Sequence, residues 1–243
     1  MRFVEIAGQK GICNNLIHSV KINRLSHAYI FSGPEGNGKL AIAIAFAQFI
    51  NCENPQENDS CGTCPSCSKY QKFIHPDLHF VFPIVGVPIG GNNKKAEISD
   101  DLLNQWRESL IERPYINQNI WYNKIGVENK QGLISTLESK QIIKKLSLKS
   151  FEAEYKTLII WLPEKMNLSS ANKLLKIIEE PPEKTLIILV SEEPEQIIPT
   201  ILSRTQILKI PRIEDDILVT VNGNENLTDF VPSDPKEIEA LMA

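Results

Sequence analysis

No apolar run in this chain approaches the ~20 residues that a membrane-spanning helix needs, so a spanning segment is not expected. The N-terminus, Met1-Arg-Phe-Val-Glu-Ile-Ala-Gly8, lacks the continuous apolar core of a signal peptide. A basic excess is missing too. Lys and Arg number 26 against 30 Asp and Glu, a net charge of −4, so nothing announces a sequence-independent nucleic-acid binder. Neither a repeat nor a coiled-coil heptad pattern is visible. These absences lead to the expectation of a cytoplasmic globular protein. A chain of 243 residues, 42% of them hydrophobic, can bury one substantial core and begin a second, smaller domain.

What is there begins with Phe31-Ser-Gly-Pro-Glu-Gly-Asn-Gly-Lys-Leu40, between the apolar run Ala28–Phe31 and the apolar stretch Ala41–Ile50. Strand, glycine-rich loop and helix are the context of a phosphate-binding loop. Gly33, Gly36 and Gly38 permit positive φ, so successive N–H groups, that of Asn37 included, can face phosphate oxygens. Lys39 adds a charge for the β/γ-phosphates at a helix N-terminus. The pattern breaks at its last position, where Leu40 stands in place of the Ser or Thr that ligates Mg²⁺. The acidic residues expected at the end of a nearby apolar strand are also missing. Lys156-Thr-Leu-Ile-Ile-Trp161 runs into Leu162-Pro-Glu164, so Trp161 and Leu162 occupy the carboxylate places and Glu164 comes late. Phosphoryl transfer depends on positioning and on charge neutralisation by Mg²⁺. No significant hydrolysis is expected, and ATP binding should be weak or absent.

Five cysteines are present, four of them as Cys52-x8-Cys61-x2-Cys64-x2-Cys67. In a reducing compartment such spacing points to metal rather than disulfides. Residues 51–69 are polar and turn-forming, so a structural zinc would supply the order that the segment lacks. Free thiols, a redox pair and an iron–sulfur cluster are the competing readings. His75 and His79 lie close by but are not expected to be ligands, and Cys13 reads as a buried helical residue.

Along the rest of the chain, strands read at 78–83, 156–161, 185–190 and 205–210. Helical periodicity appears at 12–20, 102–111 and 134–148, a capped helix at 169–180, and a helix or pair of turns at 195–204. Residues 84–101 read as loop and 115–130 as irregular, with Trp121 and Tyr122 either docked core or an exposed patch. Nearly all-apolar strands alternating with helices predict an α/β fold, an open, mostly parallel sheet with helices on both faces.

Several stretches together carry a family resemblance: the cysteine cluster after the loop's helix, His75-Pro-Asp77, Asn172-x-Leu-Leu-Lys-x-x-Glu-Glu-Pro-Pro182 and Pro199-Thr-Ile-Leu-Ser-Arg204. The chain resembles the clamp-loader branch of the AAA+ ATPases and, within it, the delta-prime family. The resemblance covers most of Gly8 to Ile210 and is weakest over 84–130, which looks like an insertion. It implies a non-hydrolysing member of a ring with gamma/tau and delta subunits, which opens a sliding clamp and places it on primed DNA. The chain would be a non-catalytic part of the DNA polymerase III holoenzyme, a nucleotidyltransferase. The family's Ser-Arg-Cys motif corresponds here to Ser203-Arg204-Thr205, which makes Arg204 an arginine finger reaching a neighbour's ATP. The resemblance also implies a helical lid and collar. About thirty residues follow Ile210, so 211–243 is expected to hold at most the start of a lid, with no collar, in a fragment that is monomeric alone. Two other readings compete. An active gamma/tau-type ATPase requires Ser or Thr at 40 and acid at 161 or 162. A zinc-dependent nucleic-acid module wants basic and aromatic residues around the cysteines, where Glu53, Glu57 and Asp59 stand instead.

Overall fold

The structure is a computed structural model and describes residues 1–89, 95–127 and 131–213. Five strands form one sheet: β1 (Ala28–Ser32), β2 (Leu78–Val81), β3 (Lys156–Trp161), β4 (Thr185–Ser191) and β5 (Gln206–Lys209), in the order β2-β3-β4-β1-β5. Every pairing is parallel, with Ala28 opposite Ile187 and Tyr29 opposite Gln206. The three inner strands are buried throughout; of the two edges, β2 is largely buried and β5 is exposed.

Alternation along the strands divides the core. Tyr29, Phe31, Ile159, Trp161, Leu186, Ile188 and Val190 enter one apolar cluster, and Ala28, Ile30, Leu158, Ile160, Ile187 and Leu189 enter the other. Both faces are therefore covered, which is why the strands read as continuous apolar runs. The first face carries α1 (Lys10–Lys21), α2 (Lys39–Ile50), α3 (Pro65–Gln71), α4 (Leu103–Glu112) and α5 (Gln118–Lys124). The second carries α6 (Thr136–Ser147), α7 (Leu168–Glu179) and α8 (Pro199–Leu202). Helix α2 is apolar on every side and buried from Lys39 to Phe49, as a helix beneath a sheet must be.

Three sequence expectations are corrected. The stretch expected to be irregular contains α5, capped by Asn117, whose Oδ1 accepts the Ile120 N–H at 2.7 Å. Trp121 there is fully buried and donates to the Pro83 carbonyl at 2.9 Å, edge-on to Trp106. Residues 102–127 thus help to build the larger core. The helix expected from Ser169 begins at Leu168, because Asn167 rather than Ser169 caps it. Helix α3 begins inside the cysteine segment, with Pro65 at its first turn and the Cys64 sulfur as cap. Of the expected lid start at 211–243, only residues 211–213 are described.

Candidate functional site

The glycine-rich loop leaves the C-terminal end of β1 and enters α2 through Gly38, at φ +81°. Gly33 is needed for a different reason from the one expected. Its φ is not positive, but a Cβ there would lie 2.1 Å from the Ile210 carbonyl oxygen and 2.3 Å from Asn37 Nδ2. Asn37 is buried and ties the loop to the end of the sheet. Its Nδ2 donates to Ile210 O at 2.7 Å, and its Oδ1 accepts the Lys39 N–H at 3.2 Å. Gln9, also buried, donates to the carbonyls of Asn37 and Pro211.

The Lys39 ammonium turns inward. It donates to Pro34 O at 2.9 Å and pairs with Glu192 Oε1 at 3.2 Å, its side chain only 5% exposed. Burial lowers its pKa, against the opposing pull of Glu192. Glu192 begins the segment just beyond β4, brought to the loop because Ser191 pairs with Ser32. Glu164 adds a second carboxyl, accepting from Ser191 Oγ at 2.9 Å and from the Glu192 N–H at 3.0 Å, and burial raises its pKa. Glu35 is raised by burial and then by Glu192. Over the loop, the Tyr115 ring sits so close to Gly38 that a Cβ there would meet its Cε1 at 2.8 Å. The Tyr115 hydroxyl accepts the Ala7 N–H at 3.0 Å. Phosphate oxygens require inward N–H groups and an available cation. Here the Lys39 N–H is taken by Asn37, the ammonium by protein oxygens, and three carboxyls share the neighbourhood.

At the end of β3, Trp161 and Leu162 are 1% exposed, and Trp161 packs against Trp106 at 5.1 Å. Leu162 holds φ +55°, its N–H donated to Val190 O. Apolar core fills the two places where metal-binding carboxylates were looked for.

Cys52, Cys61, Cys64 and Cys67 converge, their ligand atoms all within 4.8 Å of one another. Tetrahedral Zn–S bonds of ~2.3 Å place sulfurs ~3.8 Å apart, and Cys61 Sγ and Cys67 Sγ are 3.9 Å apart. Backbone N–H groups already point at the sulfurs: Cys61 N at Cys52, Cys64 N at Cys61 and Cys67 N at Cys64. Donors aimed at sulfur favour thiolate. The N–H of Thr63, foremost, pulls Cys61 down to about 6, while burial holds Cys67 up. The four residues fit a zinc ion, which would replace an apolar core as the source of local order. Three contacts dock this module: Asp59 accepts the Phe3 and Val4 N–H groups, and Gln48 donates to Ser60. Cys13 is buried on α1, apart from the four. Neither histidine joins them. The His75 ring packs at a tilt against Tyr70, centroids 4.6 Å apart, and faces Glu152 at 3.3 Å; His79 lies on β2, where burial pushes it down to about 4.

Ser203 and Arg204 lie at the other end of the sheet. They follow α8 and precede Gln206, which pairs with Tyr29 at the start of β1. The five residues of β1, at ~3.3 Å each, separate that edge from the loop by roughly 16 Å. Arg204 Nε pairs with Glu179 Oε1 at 2.5 Å, and Nη1 donates to Thr200 O at 2.9 Å and Ser203 Oγ at 3.1 Å.

A family model described as DNA polymerase III, delta subunit matches residues 8–214. The chain belongs to that family. This family member is 30% identical over 216 residues to DNA polymerase III subunit delta' of Bacillus subtilis (strain 168), covering 87% of the chain and 51% of the relative. It is also 30% identical over 218 residues to DNA polymerase III subunit tau of the same organism, covering 90% of the chain and 30% of the relative. A crystal structure of a DNA polymerase III, gamma subunit-related protein from Thermotoga maritima MSB8 aligns at TM-score 0.47 and 14% identity, over 88% of the chain and 52% of that chain. The chain thus spans about half the length of the first relative and less than a third of the second.

In this member of the DNA polymerase III delta family the loop residues Gly33–Lys39 meet one another and the four cysteines meet one another, while Ser203 and Arg204 stand apart from both. Sequence reasoning missed Glu192 and Tyr115. Glu192 had a signal, an acid directly after a buried parallel strand on the loop's side of the sheet. Tyr115 had none, because only the tertiary path of 113–117 brings it over Gly38.

Proposed function

We propose that the chain is a non-hydrolysing, delta-prime-type subunit of a clamp loader. It works in the cytoplasm beside gamma/tau and delta subunits as these open a sliding clamp and place it on primed DNA. Residues 1–210 form its AAA+ unit, with 51–69 as a zinc module. The observation that carries this reading is the state of Lys39, whose ammonium is closed off by Pro34 O and Glu192. A loop of this shape with its cation spent internally is a scaffold rather than a motor. Arg204 supports the second half of the proposal. Its distance from the chain's own loop leaves it nothing to do there, whereas an always-charged planar guanidinium at a surface suits a neighbour's γ-phosphate.

A gamma/tau-type ATPase is the second reading, favoured by the tau relative at the same 30% identity. It requires metal ligands that Leu40, Trp161 and Leu162 do not offer. The deciding experiment measures ATP binding and turnover by the purified chain with and without Mg²⁺, together with its zinc content. No turnover, no Mg²⁺-dependent binding and about one zinc per chain are expected. Turnover abolished by Lys39→Ala would make the chain a motor subunit instead.

A further inference from the structure

We infer that Glu179 is the positioning residue of Arg204, holding the guanidinium so that one edge faces outward, ready for an anionic group on a neighbouring subunit. This inference rests on the trans-acting role proposed for Arg204. A guanidinium has five N–H donors. Nε lies 2.5 Å from Glu179 Oε1 in an ion pair, and Nη1 donates to Thr200 O and Ser203 Oγ. Among the described residues Nη2 has no partner. One ion pair and two hydrogen bonds therefore hold the group and leave the two diverging Nη2 donors for a partner from outside. The side chain is 39% exposed, so this chain does not enclose it.

The platform beneath the carboxylate is rigid. Glu179 is the last residue of α7, and Glu180-Pro181-Pro182 prevents the helix from continuing. The helix end is pinned to the start of β1, where His27 Nε2 lies 3.0 Å from Ile178 O. Its free carbonyls add partial negative charge beside the guanidinium. An arginine otherwise has many rotamers to lose on meeting a phosphate. Anchoring Nε in advance removes that loss, so the effect falls on turnover at the neighbour's site rather than on ATP affinity. The ligand class is the terminal phosphate of a nucleoside triphosphate held by the adjoining subunit.

The test uses the full-length protein in a ring reconstituted with its gamma/tau-type and delta partners, the ATP sites not adjoining this chain being silenced by substitution of their loop lysines. Steady-state kcat and KM for ATP are measured for wild type, Arg204→Ala, Glu179→Ala, Glu179→Gln and the Arg204→Ala/Glu179→Ala pair, and the Tm of each subunit is recorded. Glu179→Ala should lower kcat about tenfold with KM within about twofold. Glu179→Gln keeps an oxygen at the same reach of Nε and should recover most of the loss. The double variant should be no slower than Arg204→Ala alone. If Arg204→Ala cuts kcat while Glu179→Ala leaves it within about twofold of wild type, the positioning role is wrong and the finger stands. If Arg204→Ala changes nothing, the finger and the inference fail together. Should Glu179→Ala lower Tm, the double variant decides: a further fall in kcat beyond Arg204→Ala marks Glu179 as merely structural and overturns the inference.

Discussion

Replacing Glu192 with Gln tests the closed state of the loop directly. The substitution keeps size and hydrogen-bonding capacity and removes one charge. In the wild type the Lys39 ammonium, 5% exposed, balances Glu192, 21% exposed, at 3.2 Å. Without that carboxylate the ammonium keeps Pro34 O and the more distant field of Glu164 and Glu35. Breaking a fully buried pair costs ~3–5 kcal/mol and leaving a buried donor poorly satisfied ~1–3 kcal/mol. Partial exposure of Glu192 puts the expected loss near the lower range, about 2 kcal/mol. For a chain of this length each kcal/mol moves Tm by roughly 2–4 °C, so Tm should fall by about 4–8 °C.

The loss should also depend on pH. Burial already holds the Lys39 pKa below its ordinary 10.5, and Glu192 opposes that shift. Removing Glu192 lowers the pKa further. A lysine with a lower pKa folded than unfolded destabilises the fold while charged in both states, and the cost fades as pH rises from the folded pKa toward 10.5. The deficit of Glu192→Gln should thus be larger at pH ~7 than at pH ~9.5, read by thermal melts followed by circular dichroism. An unchanged Tm, or a deficit equal at both pH values, would show that Lys39 is not held by Glu192 and would remove the argument for a closed loop.

Zinc removal by a chelator, or Cys61→Ser, should abolish the metal content and expose 51–69 to limited proteolysis while the sheet's circular dichroism persists; loss of the whole fold would refute a local role. Asp77 accepts the N–H groups of Phe151, Glu152 and Ala153 at 2.6, 2.8 and 2.9 Å. Burial works to raise its pKa, yet those donors hold it below the ordinary 3.8. Asp77→Asn should cost about 3 kcal/mol by urea denaturation. Wild-type stability from this source should be present above pH 3.8 and lost as pH falls through the lower folded value. Trp121→Ala should cost about 3–5 kcal/mol, because its ring is fully buried and its Nε1–H satisfies Pro83 O; a change within ~0.5 kcal/mol would place α5 outside the core.

The sheet was legible because its three central strands, β1, β3 and β4, are buried on both faces and almost wholly apolar, a pattern with few alternative explanations. Helix α2 was legible for the same reason, and the cysteine spacing already contained its convergence. Helix α5 was not. Gln118–Lys124 spans seven residues with weak periodicity, and its existence depends on the Asn117 cap and on the pocket that receives Trp121. The phosphate-loop pattern showed what was missing, a hydroxyl at 40 and acids after β3, but not what had replaced it. Glu192 and Tyr115 reach the loop through strand pairing and a long connection, relations that no local window contains. His75-Pro-Asp77 entered as a family mark only. The reason for Asp77, three N–H groups some 75 residues later in the chain, appears only in the fold.

A parallel sheet has two unlike ends, and this chain assigns them unlike work. One end carries a closed loop, the other a half-exposed arginine. Subunits that meet head to tail pass a resource in one direction around a ring. In the proposed assembly this chain gives an activating cation to its neighbour and needs none in return. In that assembly it would be a position that supplies a cation to the ring without drawing on one.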